Sequence, residues 1–265
     1  MNELCTIVVP AYNKRMSPNE LASFVSCCSV LGPSHRIVLV THPTLDIAEF
    51  KSVAAGCGVH LEVELFEKKH FRNIHAYNCL MLDADFYRRF EYSKYILICQ
   101  LDSFVFSDRL EDWCNKDYDY VGGPLFVPGS VDIETASVGN GGFSLRKTSA
   151  FIDCLTSRIC PLTGRRCDPY VNWRKRIMYF LMLSFSGISK KARGFFSHWV
   201  DEDQFFSRTL KGSGKQLNTP SAREALGFSF DLYPELCLEL SGGQLPMGCH
   251  QWHNNIDFWK QYIQL

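Results

Sequence analysis

A chain of 265 residues with 28 Lys+Arg against 28 Asp+Glu, 46% apolar and 14% aromatic, has enough apolar material for a full core, which excludes a disordered or fibrous protein. The balanced charge argues against a general nucleic-acid binder, which carries a basic excess. No apolar run reaches the roughly 18 residues of a spanning helix, and the opening MNELCTIVVPAYNK shows no cationic segment followed by an apolar one. The expectation is therefore a single domain, 1–265, in the cytosol.

The first half alternates in pattern. Cys5–Pro10 (CTIVVP) is an apolar, β-branched run that reads as a buried strand, followed by the loop AYNKRMSPNE. Leu21–Leu31 has helical period and stops at Gly32-Pro33. Arg36–Thr41 (RIVLVT) reads as a second strand, Asp46–Ala55 as a helix, and Val59–Phe66 as a third strand. Asn73–Phe90 reads as one long amphipathic helix and Tyr95–Cys99 (YILIC) as a fourth buried strand. Continuous apolar strands separated by helices predict a mostly parallel sheet covered on both faces, a Rossmann-like α/β/α sandwich. No G-x-G-x-x-G follows the first strand, which disfavours a dinucleotide cofactor.

The second half, from about 126, is less regular. Tyr118–Pro124 (YDYVGGP), Gly139–Arg146 (GNGGFSLR) and Gly248–Trp252 (GCHQW) are glycine-punctuated segments expected to line a site. Residues 157–199 carry nine Lys and Arg side chains against one acid, Asp168, a net charge of +8, around the apolar stretch 177–188. This stretch is too short to span a bilayer. It reads equally as a core helix with a solvated collar or as a peripheral contact with an anionic membrane surface. The twelve cysteines include no C-x-x-C pair, so most read as small buried hydrophobes. Cys160 and Cys167 are too irregularly spaced for the usual zinc knuckles.

The most informative stretch is Tyr95–Phe106, YILICQLDSFVF, where a buried strand ends in Gln100-Leu101-Asp102. A carboxylate at the exit of a central strand lies where open α/β sheets bind ligands; the alternative is an Asp that caps the following turn. A literal D-x-D, Asp83-Ala84-Asp85, lies in a helical context with Arg88 and Arg89 and reads as a solvated helix face. His198–Phe206 brings Asp201, Glu202 and Asp203 to a helix start, where acids are favoured on electrostatic grounds alone.

The strand, triplet and second apolar run resemble the D-x-D segment of nucleotide-sugar glycosyltransferases of the GT-A fold. The resemblance implies that Asp102 binds a divalent metal, Mn²⁺ or Mg²⁺, and through it the donor's diphosphate. Gln100 stands in place of the first acid and would meet the sugar or ribose through hydrogen bonds. VGNGGFSLRK resembles the Gly-Gly strand of these enzymes, with Gly141 and Gly142 approaching donor and acceptor. Asp201-Glu202-Asp203 resembles the x-E-D motif of inverting members, with Asp203 as first choice for the base that deprotonates the acceptor hydroxyl and Glu202 as second. In PMGCHQWHNNIDFW, His250 matches the late metal-binding histidine, with His253 as the alternative. Pro10, Tyr12 and Asn13 resemble the strand end that holds the nucleotide base, and Asn78 a helix on its uracil side.

Over about 5–260 the chain resembles a group of bacterial glycosyltransferases catalogued under a domain of unknown function and associated with polysaccharide synthesis. The resemblance implies a hexosyltransferase working at the inner face of the cytoplasmic membrane. It would move a sugar from a nucleotide diphosphate donor, UDP first, to a hydroxyl of a glycan or lipid-linked acceptor, with inversion. Residues 1–125 would bind the donor and 126–265 the acceptor. Three rivals stand beside it: a non-catalytic carbohydrate-binding protein with a degenerate transferase fold, a hydrolase built on Asp102, His250 and His253, and a sugar nucleotidyltransferase. The last lacks a Gly-rich basic loop for a triphosphate.

Overall fold

The computed structural model describes residues 3–156, 201–210 and 216–263. The basic stretch 157–199, with Cys160, Cys167 and the expected membrane contact, lies outside them. The strands fall where apolar β-branched runs occur: β1 (Glu3–Pro10), β2 (Arg36–Thr41), β3 (Leu61–Leu65) and β4 (Ser93–Cys99). They pair in parallel, with Ile7 opposite both Ile37 and Leu97, and Leu39 opposite Val63. Two later strands, β6 (Tyr120–Val121) and β9 (Phe143–Lys147), complete a six-stranded sheet of order β3-β2-β1-β4-β9-β6. β9 runs antiparallel to both neighbours, Leu145 facing Leu97 on one side and Val121 on the other. Both halves of the chain thus build the sheet.

Helices cover both faces, which is why the central strands show no polar alternation. Ile7, Val9, Leu39 and Leu97 pack against Phe24, Phe50 and Trp113. These come from α1 (Pro18–Leu31), α2 (Ala48–Gly56) and α5 (Leu110–Asn115). Val8, Val38, Ile96 and Ile98 pack on the other face against Phe86, Tyr87 and Phe151, from α4 (Ala84–Arg88) and α6 (Thr148–Thr156). Each such side chain contributes about 1.5–3 kcal/mol when fully buried. Cys5, Cys27, Cys28, Cys99 and Cys114 belong to the first of these cores as buried thiols. Among the described residues no helix is long and apolar enough to cross a membrane.

Helix boundaries differ from expectation most clearly at α1 and in the stretch 73–90. α1 starts at Pro18, because Ser17 and Glu20 form a capping box: Glu20 N donates to Ser17 Oγ and Ser17 N to Glu20 Oε2. The long helix expected over Asn73–Phe90 is two, α3 (Ile74–Met81) and α4. Asp83 leaves helical geometry at φ −101°, ψ 120°, and its carboxylate caps α4 by accepting from Asp85 N at 3.0 Å. The literal D-x-D is therefore a helix cap plus an i,i+3 pair, Asp85 with Arg88 at 2.6 Å.

A second, small sheet positions the chemistry. After the Gln100–Asp102 turn, β5 (Ser103–Val105) pairs antiparallel with β11 (Gly248–His250), His250 opposite Ser103. β11 pairs in parallel with β10 (Ser229–Phe230), while β7 (Pro124–Leu125) and β8 (Ser137–Val138) pair antiparallel by themselves. A third core with Phe230, Cys249, Trp252 and Trp259 supports it, and Trp252 Nε1 donates to Ser23 Oγ of α1 at 2.9 Å. The late segment of the chain is thereby fixed against the exit of β4.

Candidate functional site

A cleft of about 370 Å³ opens beyond the C-terminal ends of β1 and β4. Pro10 and Tyr12 line it from β1, Gln100 and Asp102 from β4, Arg72 and Tyr77 from the α3 region, and Gln251 from the end of β11. This is where open α/β sheets bind ligands, because strand ends and helix starts leave backbone groups unspent there. Of the expected residues, Pro10, Tyr12, Gln100 and Asp102 share this wall. Asn13 is exposed and Asn78 buried, and neither lines the cleft.

Asp102 and His250 converge. His250 Nε2 lies 3.2 Å from Asp102 Oδ1, with the imidazole 8% and the carboxylate 29% exposed. The contact is electrostatic, not an aligned hydrogen bond: both atoms are buried and neither has a hydrogen-bond partner among the described residues. Behind the ring, His250 Nδ1 and Asp231 Oδ1 form a hydrogen bond of 3.2 Å, and Asp231 follows β10 directly. Burial opposes charge on His250, but Asp102 and Asp231 outweigh it and push its pKa up to about 10. For Asp102, burial raises the pKa, yet the neighbouring His250 holds the carboxyl below its usual value. Gln251, next in the chain, sits in the left-handed region at φ 50° and ψ 35°, a conformation uncommon outside glycine and concentrated at functional sites. His253 is exposed, on the short helical turn that follows β11.

The glycine pair has a specific physical role. A Cβ on Gly142 would overlap the imidazole of His250, and one on Gly141 would overlap Glu202 Oε1. Neither residue has positive φ. The close approach that excludes a side chain is to the protein's own catalytic candidates. Gly142 also ties the two segments together, its carbonyl accepting from Gln100 N at 2.8 Å and Ser103 Oγ at 3.0 Å.

Glu202 and Asp203 sit in different environments. Glu202 Oε1 accepts from Arg146 Nη2 at 2.9 Å, in a pair whose side chains are 0% and 4% exposed. Arg146 also donates to Tyr87 Oη and Ser144 Oγ. Glu202 Oε2 is buried without a hydrogen-bond partner among the described residues. Burial, then the charge of Glu202, pushes the Asp203 carboxyl up to about 6, with Asp201 and Asp231 adding to the shift.

Asp102 and His250 suit a divalent cation: one carboxylate and one imidazole, whose facing atoms lie 3.2 Å apart without an aligned hydrogen bond, and a second carboxylate orienting the ring, as histidine ligands commonly have. Among the described residues no group of three or more His, Cys, Asp or Glu side chains is arranged to hold a metal. The remaining coordination positions would fall to ligand oxygens and water, as Mg²⁺ sites on phosphates commonly arrange them. Sequence reasoning missed Asp231, Arg72 and Tyr77. Asp231 repeats the signal that marks Asp102, an acid just after a short apolar run (FSFD beside LICQLD).

Residues 60–250 match the family described as protein of unknown function (DUF5672). No curated protein matches the sequence. Among solved structures, mouse xyloside xylosyltransferase 1 in its apo form is similar over 94% of this chain and 97% of its own, at 9% identity and a TM-score of 0.51. A galactosyltransferase, LgtC, in complex with donor and acceptor sugar analogues, aligns over 92% of this chain and 86% of its own, at 12% identity and a TM-score of 0.47. Core-mannan synthase A from Aspergillus fumigatus, in its Mn/GDP form, aligns over 85% of this chain and 72% of its own, at 12% identity and a TM-score of 0.46. These identities speak to the fold alone, which is that of the GT-A glycosyltransferases.

Proposed function

This chain belongs to the DUF5672 family of proteins of unknown function, and we propose that it is a glycosyltransferase that moves a sugar from a nucleotide diphosphate to a hydroxyl acceptor. The observation that carries this reading is the meeting of Asp102 and His250 at the rim of the cleft, their facing atoms 3.2 Å apart without an aligned hydrogen bond and the ring held from behind by Asp231. Fold alone would not carry it, since one fold hosts many functions.

In this reading the donor lies along the cleft with its base toward Tyr12 and Pro10 and its diphosphate toward Asp102 and His250. Arg72 lines the same cleft and supplies a fixed positive charge for the phosphates. Asp102 and His250 would hold Mn²⁺ or Mg²⁺, which would supply Lewis-acid charge to offset the negative charge of the leaving diphosphate. Asp231 keeps the imidazole turned with Nε2 toward Asp102.

An alcohol is a weak nucleophile at neutral pH, so the acceptor needs a base within hydrogen-bond reach. Asp203 takes that role: a carboxyl pushed up to about 6 is still mostly ionised at pH 7 and holds a proton better than an ordinary one. The acceptor oxygen gives its proton to Asp203 and bonds to the anomeric carbon, as the bond from that carbon to the phosphate oxygen breaks. Attack from the face opposite the leaving group inverts the anomeric configuration. Glu202 is the weaker choice, because its carboxylate is committed to Arg146. The acceptor is a glycan or lipid-linked glycan in surface polysaccharide synthesis.

The test is a transfer assay with UDP- and GDP-linked sugars and oligosaccharide acceptors, with the product analysed by NMR. Nucleoside diphosphate release coupled to an inverted glycoside is expected, with Asp203→Asn binding the donor but transferring nothing. No turnover of any donor alongside intact sugar binding would instead support a carbohydrate-binding protein. A retained configuration would remove Asp203 from the role of base.

A further inference from the structure

The hydroxyl of Tyr77 is unexplained by the fold. Tyr77 sits on α3 and lines the cleft beside Gln100 and Asp102, yet its Oη is buried and has no hydrogen-bond partner among the described residues. The Gln100 amide lies next to it without completing a hydrogen bond, and the charges of Arg146, Glu202 and Asp102 all reach it. Native structures rarely leave a buried hydroxyl unsatisfied, because such a group has lost its water without replacement. A Phe at this position would fill the same space without that penalty. Folding therefore gives no reason for the oxygen, and binding does.

Four of the buried side-chain atoms that lack a partner among the described residues belong to this one region: Tyr77 Oη, Asp102 Oδ1, Glu202 Oε2 and His250 Nε2. Two of them face each other across the Asp102–His250 contact. Tyr77 and Glu202 form the other part, and Arg146 anchors that carboxylate. A neutral donor and acceptor, the phenol, next to an amide that both donates and accepts, is suited to ring hydroxyls rather than to phosphate.

We propose that Tyr77 is a sugar-reading residue of the donor site, its hydroxyl bonding a ring hydroxyl of the sugar carried by the nucleotide. This rests on the glycosyltransferase reading and adds to it the residue that distinguishes the sugar from the diphosphate. The Gln100 amide shares the contact. A site built to hydrogen-bond a hydroxyl discriminates strongly against ligands that cannot supply one, because its buried polar atoms are then left unpaired.

The test is Tyr77→Phe in the full chain, titrated calorimetrically with UDP, GDP, UDP-glucose, UDP-galactose, UDP-N-acetylglucosamine and GDP-mannose in the presence of Mn²⁺. The parent diphosphates are expected to bind variant and wild type alike, and the melting temperature to stay level or rise. The ratio of nucleotide-sugar to nucleotide-diphosphate affinity is expected to fall by about ten- to a hundred-fold for the preferred sugar. An unchanged ratio in Tyr77→Phe overturns the inference and leaves the glycosyltransferase reading standing. A lower melting temperature together with weaker diphosphate binding also overturns it, by making the hydroxyl structural. If the wild type binds no nucleotide at all, the underlying reading fails and this inference with it.

Discussion

Asp231 and His250 end two neighbouring parallel strands, and that pairing brings the Asp231 carboxylate to 3.2 Å from Nδ1 of the imidazole. The hydrogen bond on the rear nitrogen turns the other nitrogen toward Asp102. Removing it by Asp231→Ala frees the ring to rotate. Loss of such an outer partner typically costs 10–100-fold in metal affinity. Mn²⁺-dependent nucleotide binding is expected to weaken by about that factor, as measured by calorimetric titration. Undiminished affinity would mean that Asp231 does not orient the ring.

Gly142→Ala places a methyl group where the His250 ring sits. Overpacking of this kind costs about 1–3 kcal/mol, and the ring must leave Asp102 to relieve it. Loss of metal-dependent nucleotide binding should therefore exceed the loss seen with a surface Gly→Ala control, such as Gly56, around which a Cβ would meet open space. Denaturant unfolding and nucleotide titration of the two variants measure this; equal behaviour would contradict it.

The Arg146–Glu202 pair is fully enclosed, and removing one member of such a pair strands the other charge. Arg146→Met is expected to lower stability by about 3–5 kcal/mol. Arg146→Met combined with Glu202→Leu should recover most of that loss, because neither charge of the pair is left stranded. Urea unfolding of the single and double variants decides it, and equal loss in both would show that packing, not charge, is at stake.

Asp203 gives opposite pH signatures in stability and activity. Its folded pKa, about 6, lies above the ordinary value of 3.8, so the folded state binds the proton more tightly than the unfolded chain. Its contribution to stability is present below pH 3.8 and is lost as pH rises through about 6. Asp203→Asn should therefore unfold at a higher temperature than wild type at pH 7.5, by thermal melts across pH. Activity runs the other way: kcat/KM should rise with pH through an apparent pKa near 6. An activity profile without that limb would take the base role away from Asp203.

The parallel core was legible because β1, β2 and β4 are buried on both faces and so appear as unbroken apolar runs. β9 was not placed in advance, since its antiparallel insertion between β4 and β6 depends on pairing far along the chain. The break at Asp83 was hidden because a cap and a solvated helix face call for the same residue types. Asp102 and His250 were expected together from a resemblance, and β5 pairing with β11 brings them there. Which of the acids 201–203 is enclosed was beyond pattern reading: Arg146 selects Glu202, and it lies on another strand. Tyr77 carried no sequence signal at all, because an unpartnered hydroxyl exists only in the folded arrangement.

The most direct measurement is the thermal stability of wild type and Asp102→Ala with UDP or GDP, each with and without Mn²⁺. Ligand binding stabilises by RT ln(1 + [L]/Kd), about 2.7 kcal/mol at a hundredfold excess over Kd. In wild type, nucleotide and Mn²⁺ together should raise the melting temperature by more than the sum of their separate effects, and Asp102→Ala should abolish that excess. A nucleotide response indifferent to Mn²⁺, or the same excess in Asp102→Ala, would contradict the assignment of Asp102 and His250 to a shared cation.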